Sequence, residues 1–373
     1  MEVVVTGIGL ICALGNSCHQ SWQRLLAGET GITQQQPFPK LPLQPLAVVL
    51  PQTTSPNALL DHALEMAIAD AGWNLPLEEC GVVIGSSRSY QKTWEKWAAG
   101  NFLEEAFPWL ETLPHMLAVR VARHVKATGP VSSPTSACTT GLWAIAQGWE
   151  WLKTGQCKRV IVGALESCIS PLNITGFSQM GALASTGAYP FDRQRQGMVL
   201  GEGAAVLLME IQEEAPLNSR KSYGQVLGFA FGNDAYHVTA PDPDYQVAAA
   251  TIQRCLQRSK LLPEEISYIH AHGTGTRLND QREAHLVEAL FPKGVPISST
   301  KGATGHTLGA SGIIGSAFCL LALQQQILPP CVGLKDPEFD LNFVLNAQIS
   351  SLETALCLSF GFGGQNGVVA FAR

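Results

Sequence analysis

Three short motifs place a reactive side chain among small residues and glycines. They are SACTTG with Cys138, IHAHGTGTRLND with His272, and STKGATGHTLGASG with Lys301 and His306. Each motif lies at the end of a strand-like segment or before a helix-like one, where active sites are commonly built. A cysteine can act as a nucleophile through its thiolate, and two imidazoles can donate hydrogen bonds to one developing oxyanion. Together the motifs predict nucleophilic catalysis.

Cys138 stands immediately before residues 139–153, whose apolar spacing predicts a long helix. Unpaired N–H groups and the macrodipole at a helix N-terminus favour negative charge, so we expect a lowered pKa for this thiol. Free cysteines are often buried and inert, so a core thiol is the alternative. The neighbours Ser136, Ala137 and Thr140 are small and mostly polar, unlike a core, and they favour the nucleophile.

A cysteine and two histidines can also bind zinc, but ligands of structural sites usually come in close sequence pairs. These three residues are widely separated, so we expect no metal. CxxC, HExxH, P-loop and GxSxG motifs are all missing from the sequence. The segment VVVTGIG begins like a dinucleotide-binding fingerprint, yet Cys12 takes the place of its third glycine. We therefore interpret Gly7 and Gly9 as a tight turn after the first strand.

The composition favours a globular protein with a large core. Of the 373 residues 46% are apolar and 14% charged, and the net charge of -6 argues against binding to nucleic acid. Ten scattered cysteines without a secretion signal indicate a reduced, cytoplasmic protein. The longest apolar stretch, 309–323, is shorter than the roughly 20 residues that span a bilayer. We expect a buried core helix there and no membrane span.

Strand-like and helix-like segments alternate, which predicts a layered α/β protein. The predicted strands are 3–6, 81–85, 159–163, 204–209, 266–270 and 367–372. The predicted helices are 21–27, 59–71, 139–153, 247–259, 280–291 and 309–326. The motifs around Cys138 and His306 both place a loop of small residues before a long apolar helix, which suggests a duplicated fold. A division near 215–221 gives two halves, 1–215 and 216–373, that share one core.

The sequence resembles the β-ketoacyl-acyl-carrier-protein synthases. The resemblance runs from residue 3 to residue 371, and six segments match the family signatures in order: TGIGLICALGNS, SACTTGLWAI, DAYHVTAPDPD, HAHGTGTRLND, STKGATGHTLGASG and SFGFGGQNG. The resemblance implies a thiolase fold, in which two similar halves form five αβαβα layers, and a dimer. It also implies decarboxylative condensation of an acyl chain on the cysteine with malonyl-acyl carrier protein, in fatty acid or type II polyketide synthesis.

The resemblance assigns roles to residues of this chain. Cys138, His272, His306 and Lys301 are the implied catalytic residues, with an electrostatic role for Lys301 near His306. The backbone N–H groups of Cys138 and Phe362 form the implied oxyanion hole. The implied gate and substrate contacts are Phe362, Gly361, Gly363, Gly364, Thr274 and Thr276. No metal or organic cofactor is implied, because the phosphopantetheine arrives on the acyl carrier protein.

Three features leave the function open. Many family members carry a glutamate fourteen positions after the lysine, where this chain has Gly315. A partner subunit of the chain-length-factor type, in a heterodimeric synthase, is therefore the alternative to an active homodimer.

Residues 93–110 are rich in aromatics, and we interpret them as core, dimer interface or acyl-tunnel wall. The cluster of Arg120, Arg123 and Lys126 is a solvated face or a site for the acidic carrier protein. Acyl length remains open.

Overall fold

A computed structural model describes residues 2–49, 55–100, 109–212 and 222–373. The strands are β1 (Glu2–Cys12), β2 (Thr33–Gln35), β3 (Gln44–Leu46), β4 (Cys80–Gly85), β5 (Val131–Ser132), β6 (Arg159–Glu166), β7 (Gly203–Gln212), β8 (Gly224–Asn233), β9 (Tyr268–His270), β10 (Ile297–Ser298), β11 (Ile327–Leu328), β12 (Gln348–Ile349), β13 (Thr354–Gly361) and β14 (Gln365–Ala372). The helices are α1 (Cys18–Leu26), α2 (Pro56–Ala71), α3 (Gln91–Ala98), α4 (Met116–Val125), α5 (Thr140–Lys153), α6 (Pro171–Gln179), α7 (Gln246–Ser259), α8 (Arg277–Leu290), α9 (Lys301–Thr304) and α10 (Ser311–Gln325). Short 3-10 turns span Trp109–Thr112, Pro263–Glu265 and Leu308–Ala310.

Within the described residues, ten strands form one mixed sheet with an internal repeat. Its order is β10-β9-β13-β14-β8-β1-β7-β6-β4-β5. Numbered within each half, both sets of five strands have the order 3-2-4-5-1, and the first strands of the two sets, β1 and β8, pair antiparallel at the centre. The duplicated fold expected from the sequence is confirmed by this topology.

The helices are arranged in layers around the strands. Helices α5 and α10 pack against each other and lie between the two sets of strands, in one core cluster. Helices α2 and α4 cover the outer face of the first set, and α7 and α8 cover that of the second. The two faces of β7 contact different layers: Leu207 belongs to the middle core cluster and Leu208 to the outer one. These are the five αβαβα layers that the resemblance implies.

The predicted strands and helices are confirmed, with boundaries that shift by a few residues. The largest strand change is at β1, which continues to Cys12. The sequence did not indicate β8, where three glycines obscure the strand pattern, or β13. The short strands β2, β3, β5, β10, β11 and β12 and the helices α4, α6 and α9 were also not predicted. The proposed boundary between the halves, near 215–221, lies outside the described residues, as do residues 101–108 of the aromatic segment. One helical stretch, Leu308–Gln325, is apolar and long enough to cross a membrane, but 89% of it is buried in the protein, as expected of a core helix.

The interpretation of Gly7 and Gly9 as a turn is wrong. Both lie inside β1, which carries a register shift between Val5 and Gly7 and then continues. A Cβ atom at Gly9 would lie 1.8 Å from the carbonyl oxygen of Ala63 in α2, and one at Gly7 would lie 2.5 Å from that of Ala67. These glycines therefore allow helix α2 to pack directly on the strand backbone.

The basic cluster on α4 is partly neutralised by α2. Arg120 forms a bidentate pair with Asp61, with Nε–Oδ1 and Nη2–Oδ2 distances of 2.8 and 2.5 Å. His124 on the same helix lies 2.6 Å from Glu65. Only Arg123 and Lys126 of the predicted cluster remain exposed without an ion pair among the described residues. The structure thus weakens the case for this face as the carrier-protein site.

Candidate active site

The three motifs meet in one cavity of about 530 Å³. Cys138, His272 and His306 line it, and one sulfur and two ring nitrogens of these residues lie within 4.8 Å of one another. Among the cysteines, Cys138 is the one grouped with two histidines in the described part of the chain. Cys138 and His272 are 134 residues apart in the sequence. They meet in the cavity because both halves direct their loops to this side of the fold.

A tight turn presents Cys138 in front of α5. Ala137 has a left-handed backbone with φ of 44°. The N–H of Thr139 donates to the carbonyl of Ser136 at 3.0 Å, and the hydroxyl of Ser359 in β13 donates to the carbonyl of Cys138 at 2.9 Å. The nucleophile is therefore tied to the first half by its own turn and to the second half by β13.

Burial dominates the acidity of Cys138. It raises the pKa of the thiol to about 11, although the charge of Lys301 and the backbone N–H of Phe362 act to lower it. The net shift is opposite to the one expected from the helix N-terminus alone, because the thiolate would lose most of its hydration. In the free protein at neutral pH the thiol keeps its proton.

The contacts of His306 determine which ring nitrogen carries its proton. Its Nδ1 accepts a hydrogen bond from the backbone N–H of Leu308 at 3.1 Å, and the hydroxyl of Ser311 lies 2.9 Å away. Burial, followed by the charge of Lys301, holds the pKa of His306 well below 6.5, so the ring is neutral. A neutral ring that accepts at Nδ1 carries its proton on Nε2. This Nε2 lies 3.4 Å from Sγ of Cys138, so His306 is a donor toward the sulfur rather than a base.

Lys301 determines the protonated ring nitrogen of His272, as Leu308 and Ser311 do for His306. Its Nζ donates to the backbone carbonyl of His272 and lies 3.4 Å from Nδ1 of that ring. Burial and the charge of Lys301 hold the pKa of His272 well below 6.5. His272 is therefore a neutral donor through Nε2, with its ring centroid 5.3 Å from that of His306. Lys301 hydrogen-bonds to His272 rather than to His306, which corrects the expected neighbour, while its charge acts on both rings.

Two buried carboxylates hold the loop of His272, and the sequence analysis missed both. Glu283 accepts from the N–H groups of His272 and Gly273 at 2.6 and 2.7 Å, and Asp280 accepts from that of Thr274 at 3.0 Å. Burial raises the pKa of Glu283 to about 7, although the backbone N–H donors and the charge of Lys301 act to lower it. The available signal was an acidic pair three residues apart on α8, formed by the last residue of the histidine motif, Asp280, and by Glu283.

The hydrogen bonds of the two rings bear on metal binding. A metal on Nε2 would require each ring to place its proton on Nδ1 instead. At His306 that nitrogen already receives the N–H of Leu308, and at His272 it faces the ammonium of Lys301. Lys301 also adds a positive charge beside the same space. The donor set therefore fits a substrate oxygen better than a cation.

The glycine-rich loop between β13 and β14 lies against Cys138. A Cβ atom at Gly361 would be 3.0 Å from the backbone nitrogen of Cys138, so glycine permits this close approach. The backbone N–H of Phe362 acts to lower the pKa of the Cys138 thiol, and the amide of Cys138 donates to no described residue. The two amides assigned to the oxyanion hole thus border the cavity.

The aromatic side chain of Phe362 is 39% exposed and packs against Phe177, with ring centroids 6.1 Å apart. Gly363 and Gly364 both have positive φ, at 79° and 75°. Gly363 donates to the carbonyl of Val238, within the segment that follows β8, at 2.7 Å. The loop is therefore anchored behind the gate residue while the ring itself stands at the cavity mouth.

Thr274 and Thr276 also line the cavity. Their hydroxyl oxygens are 2.8 Å apart, and Thr276 is the residue immediately before α8. The pair places hydroxyl groups beside His272, consistent with the substrate contacts expected for them.

The comparisons with known proteins agree with this geometry. Two family models match, the N-terminal domain of β-ketoacyl synthases over residues 50–215 and their C-terminal domain over residues 223–335. The chain belongs to the β-ketoacyl synthase family. A relative that covers all of this chain is 3-oxoacyl-[acyl-carrier-protein] synthase 2 of Synechocystis, 33% identical over 413 residues and matched over 98% of its own length.

Two solved structures of ketosynthases are similar over the whole chain. One is a type II polyketide acyl-carrier protein in complex with its ketosynthase bound to the hexaketide, with a TM-score of 0.92, 26% identity and 99% of that chain covered. The other is a ketosynthase in complex with its chain length factor from Xenorhabdus doucetiae, with a TM-score of 0.88, 25% identity and 98% covered. This β-ketoacyl synthase therefore has the thiolase-like fold of the family.

In this synthase a histidine occupies the space beside Gly315, the position where the family resemblance implies a glutamate. A Cβ atom at Gly315 would lie 2.6 Å from Cε1 and 2.8 Å from Nδ1 of His270. His270 is fully buried, and its Nε2 lies 3.1 Å from the hydroxyl of Thr300, the residue before Lys301. The helix backbone at Gly315 thus borders an imidazole that reaches from β9 to the lysine loop.

This fit predicts an unusual response to Gly315→Ala. Alanine is favoured over glycine in a helix by about 1 kcal/mol, but here overpacking against His270 costs about 1–3 kcal/mol. We expect a net loss of stability, measured by chemical denaturation. In a His270→Ala background the same change should be neutral or stabilising. Equal effects of Gly315→Ala in both backgrounds would contradict the packing described here.

Lys301→Met should change the pH dependence of the synthase. The ammonium penalises protonation of both imidazoles, so its removal raises the pKa values of His272 and His306. We expect the acidic limb of malonyl decarboxylation to move to higher pH, with up to a roughly tenfold loss between pH 8 and pH 6. The wild type should lose less over this interval. A uniform decrease at every pH, with an unmoved limb, would argue against an electrostatic role.

Proposed function

We propose that this chain catalyses the decarboxylative condensation of an acyl group held on Cys138 with malonyl-acyl carrier protein, which yields 3-oxoacyl-acyl carrier protein. The observation that carries the proposal is the convergence of one thiol and two neutral Nε2–H donors in a buried cavity. His306 places its donor 3.4 Å from Sγ of Cys138, and His272 lies across from it. Such donors stabilise negative charge on oxygen and sulfur and do not remove a proton.

The first half-reaction is thioester exchange. Sγ of Cys138 attacks the acyl carbonyl, its S–C bond forms, and the S–C bond to the carrier thiol breaks. The proton that the thiol loses is the proton that the carrier thiol gains. The Nε2–H of His306 and the N–H of Phe362 face the sulfur and stabilise its negative charge as attack begins. The backbone N–H groups of Cys138 and Phe362 receive the oxyanion of the tetrahedral intermediate.

The second half-reaction begins when malonyl-acyl carrier protein replaces the free carrier. The bond between its methylene carbon and carboxylate breaks, CO₂ leaves, and the electron pair moves to the thioester oxygen as an enolate. His272 and His306 donate to this oxygen through their Nε2–H groups. Their neutrality matters, because the rings keep their protons and the electrostatic contribution requires no proton transfer. Lys301 maintains that state through His272.

Carbon–carbon bond formation completes the cycle. The enolate carbon attacks the acyl carbonyl on Cys138, and the resulting oxyanion again meets the two backbone amides. Collapse of this intermediate releases 3-oxoacyl-acyl carrier protein and the thiolate of Cys138. Because burial raises the pKa of this thiol to about 11, the thiolate takes up a proton from solvent before the next cycle. The balance is one CO₂ released and one proton consumed.

The proposal includes the partners and setting of the enzyme. An acyl carrier protein brings each substrate on its phosphopantetheine, and the proposal is supported by a similar ketosynthase that was solved in complex with its type II polyketide acyl-carrier protein. No metal or further cofactor takes part, and the enzyme acts in the cytoplasm. We propose a dimer, either of two copies or with a second ketosynthase-like chain. Light scattering at micromolar concentration tests the first of these, and a monomeric mass of the isolated chain would exclude it.

A second candidate is a chain-length-factor-like partner with little activity alone. It is favoured by Gly315 in place of the family glutamate and by the similar ketosynthase that forms a complex with its chain length factor. The retained Cys138, His272 and His306 favour the active subunit instead. A partner subunit would bind a second ketosynthase-like chain and raise its activity even after Cys138→Ala.

The decisive experiment gives the isolated chain acyl- and malonyl-acyl carrier protein and follows three products. Intact mass reports the acyl group on Cys138, released CO₂ reports decarboxylation, and chromatography reports the 3-oxoacyl product. Active condensation by the chain alone supports the main proposal. Acylation without condensation, restored by an added ketosynthase-like partner, supports the second candidate. No acylation of Cys138, when a control synthase loads under the same conditions, overturns the main proposal.

A further inference from the structure

The catalytic cavity contains a cation that contacts no reacting atom in the steps above, although its charge acts to lower the pKa of Cys138. Arg88 lines it together with Cys138 and Phe177. The residue lies in the loop between β4 and α3, directly after Ser87, whose N–H donates to the buried carboxylate of Glu166. Every catalytic atom named above belongs to another segment, so the position of Arg88 calls for a separate explanation.

The loop holds Arg88 in a fixed place. The N–H of Ser89 donates to the hydroxyl of Ser86 at 2.7 Å, and Tyr90 is anchored by a hydrogen bond of 2.6 Å from its hydroxyl to Asn57. The carbonyl of Arg88 accepts from the N–H of Gln91 at 2.9 Å. Its guanidinium carbon lies 5.7 Å from the ring centroid of Phe177, which in turn packs on Phe362. The guanidinium thus lies at the wall of the cavity, beside the ring that packs on the gate residue.

The hydrogen-bonding of Arg88 is incomplete within the protein. Its Nε is buried and donates to none of the described residues, and no ion pair joins its guanidinium to a described carboxylate. Glu166 is the acid whose charge it influences, yet the two side chains do not form an ion pair. A buried guanidinium donor without an acceptor is costly, so such a group in a cavity indicates an acceptor supplied by the ligand.

Resting on the proposed function, we infer that Arg88 selects an acyl group that carries an accepting oxygen, either a keto oxygen along the chain or a terminal carboxylate. An unsubstituted alkyl chain would cover the guanidinium and leave Nε without a partner. An oxygen at this position would satisfy it through a charge-assisted hydrogen bond, and a carboxylate could also use a second guanidinium N–H. The apolar stem and the face of Phe177 would still contact the carbons of the chain.

Three carrier-bound substrates with four-carbon acyl groups test this inference. Butyryl-acyl carrier protein has no additional oxygen, acetoacetyl-acyl carrier protein has a keto oxygen, and succinyl-acyl carrier protein has a terminal carboxylate. The measurement is kcat/KM for acylation of Cys138, from intact mass over time. We expect at least one oxygenated substrate to exceed butyryl by about tenfold or more. A preference for acetoacetyl identifies the keto source, and a preference for succinyl identifies the carboxylate source.

Arg88→Met should remove this preference by lowering kcat/KM for the oxygenated substrates more than for butyryl, which loses only the effect of the Arg88 charge on the Cys138 thiol. Arg88→Lys keeps the positive charge but loses the several N–H donors of the guanidinium, so it should retain part of the preference for oxygenated substrates. It also provides a second variant in case the methionine variant misfolds. Arg254→Met, which removes an exposed cation on α7, is the matched control and should behave as wild type. A wild-type enzyme that prefers butyryl overturns the inference. So does an equal loss with all three substrates, because Arg88 would then act on the carrier or the thiol. Failure of every substrate to load overturns the proposed function as well.

Discussion

Cys138→Ala should abolish condensation by at least about 10⁴-fold while malonyl decarboxylation continues. The acyl-enzyme depends on Sγ of Cys138, and no other thiol lies beside the two histidines in the described part of the chain. The donors of His272 and His306 are held by Lys301, Leu308 and Ser311, none of which depends on the thiol. The enolate site therefore survives the substitution. Product chromatography and CO₂ release, measured on the same samples, separate the two half-reactions.

Cys255→Ala provides the control for this result. Cys255 is also fully buried, but it lies on α7 in the outer layer, away from the cavity. That variant should retain both activities, apart from a small loss of stability. If Cys138→Ala stopped decarboxylation as completely as condensation, the separation of roles drawn from the hydrogen bonds would be incorrect. If condensation persisted, another group would have to carry the acyl chain.

The fold could be predicted largely from local patterns. Helix α5 and strand β6 were recognised because apolar residues recur at helical spacing and β-branched residues follow in a short run. Strands buried on both faces, such as β7, gave continuous apolar sequences that are easy to find. Gly7 and Gly9 were misinterpreted, because a glycine that admits a neighbouring helix and one that makes a turn are alike in sequence. The packing partner, Ala63 on α2, is more than fifty residues away.

The site was predictable in its reactive residues and not in its electrostatics. Cys138 and His272 stood out by type and by their glycine-rich surroundings. The direction of the pKa shift at Cys138 was not predictable, because it depends on the depth of the cavity, which forms only when both halves meet. The same holds for Glu283, which resembled an ordinary helical acid until its backbone partners were known. Arg88 gave no signal in the sequence, since a single arginine in a loop is usually exposed.

His272→Ala and His306→Ala should produce the complementary pattern to Cys138→Ala. Each removes one neutral Nε2–H donor from the enolate, and loss of one such donor lowers a rate by about 10²–10³-fold. We expect decarboxylation to fall by this amount in both variants. Acylation should respond differently, because His306 contacts the sulfur at 3.4 Å whereas His272 is directed by Lys301. His306→Ala should therefore slow acylation about tenfold, and His272→Ala should nearly spare it.

The surface histidine His19 on α1 supplies the matched control, and His19→Ala should leave both half-reactions unchanged. Acylation and CO₂ release must be followed separately, since overall condensation would conceal the difference between the two catalytic histidines. Equal losses of acylation in His272→Ala and His306→Ala would contradict the assigned tautomers. A pH profile adds a second criterion, because a histidine that acts as a base would impose an acidic limb on acylation. Neutral donors with pKa values well below 6.5 impose no limb of their own just above that value, so a rise of acylation with pH there comes from the Cys138 thiol, whose pKa burial raises to about 11.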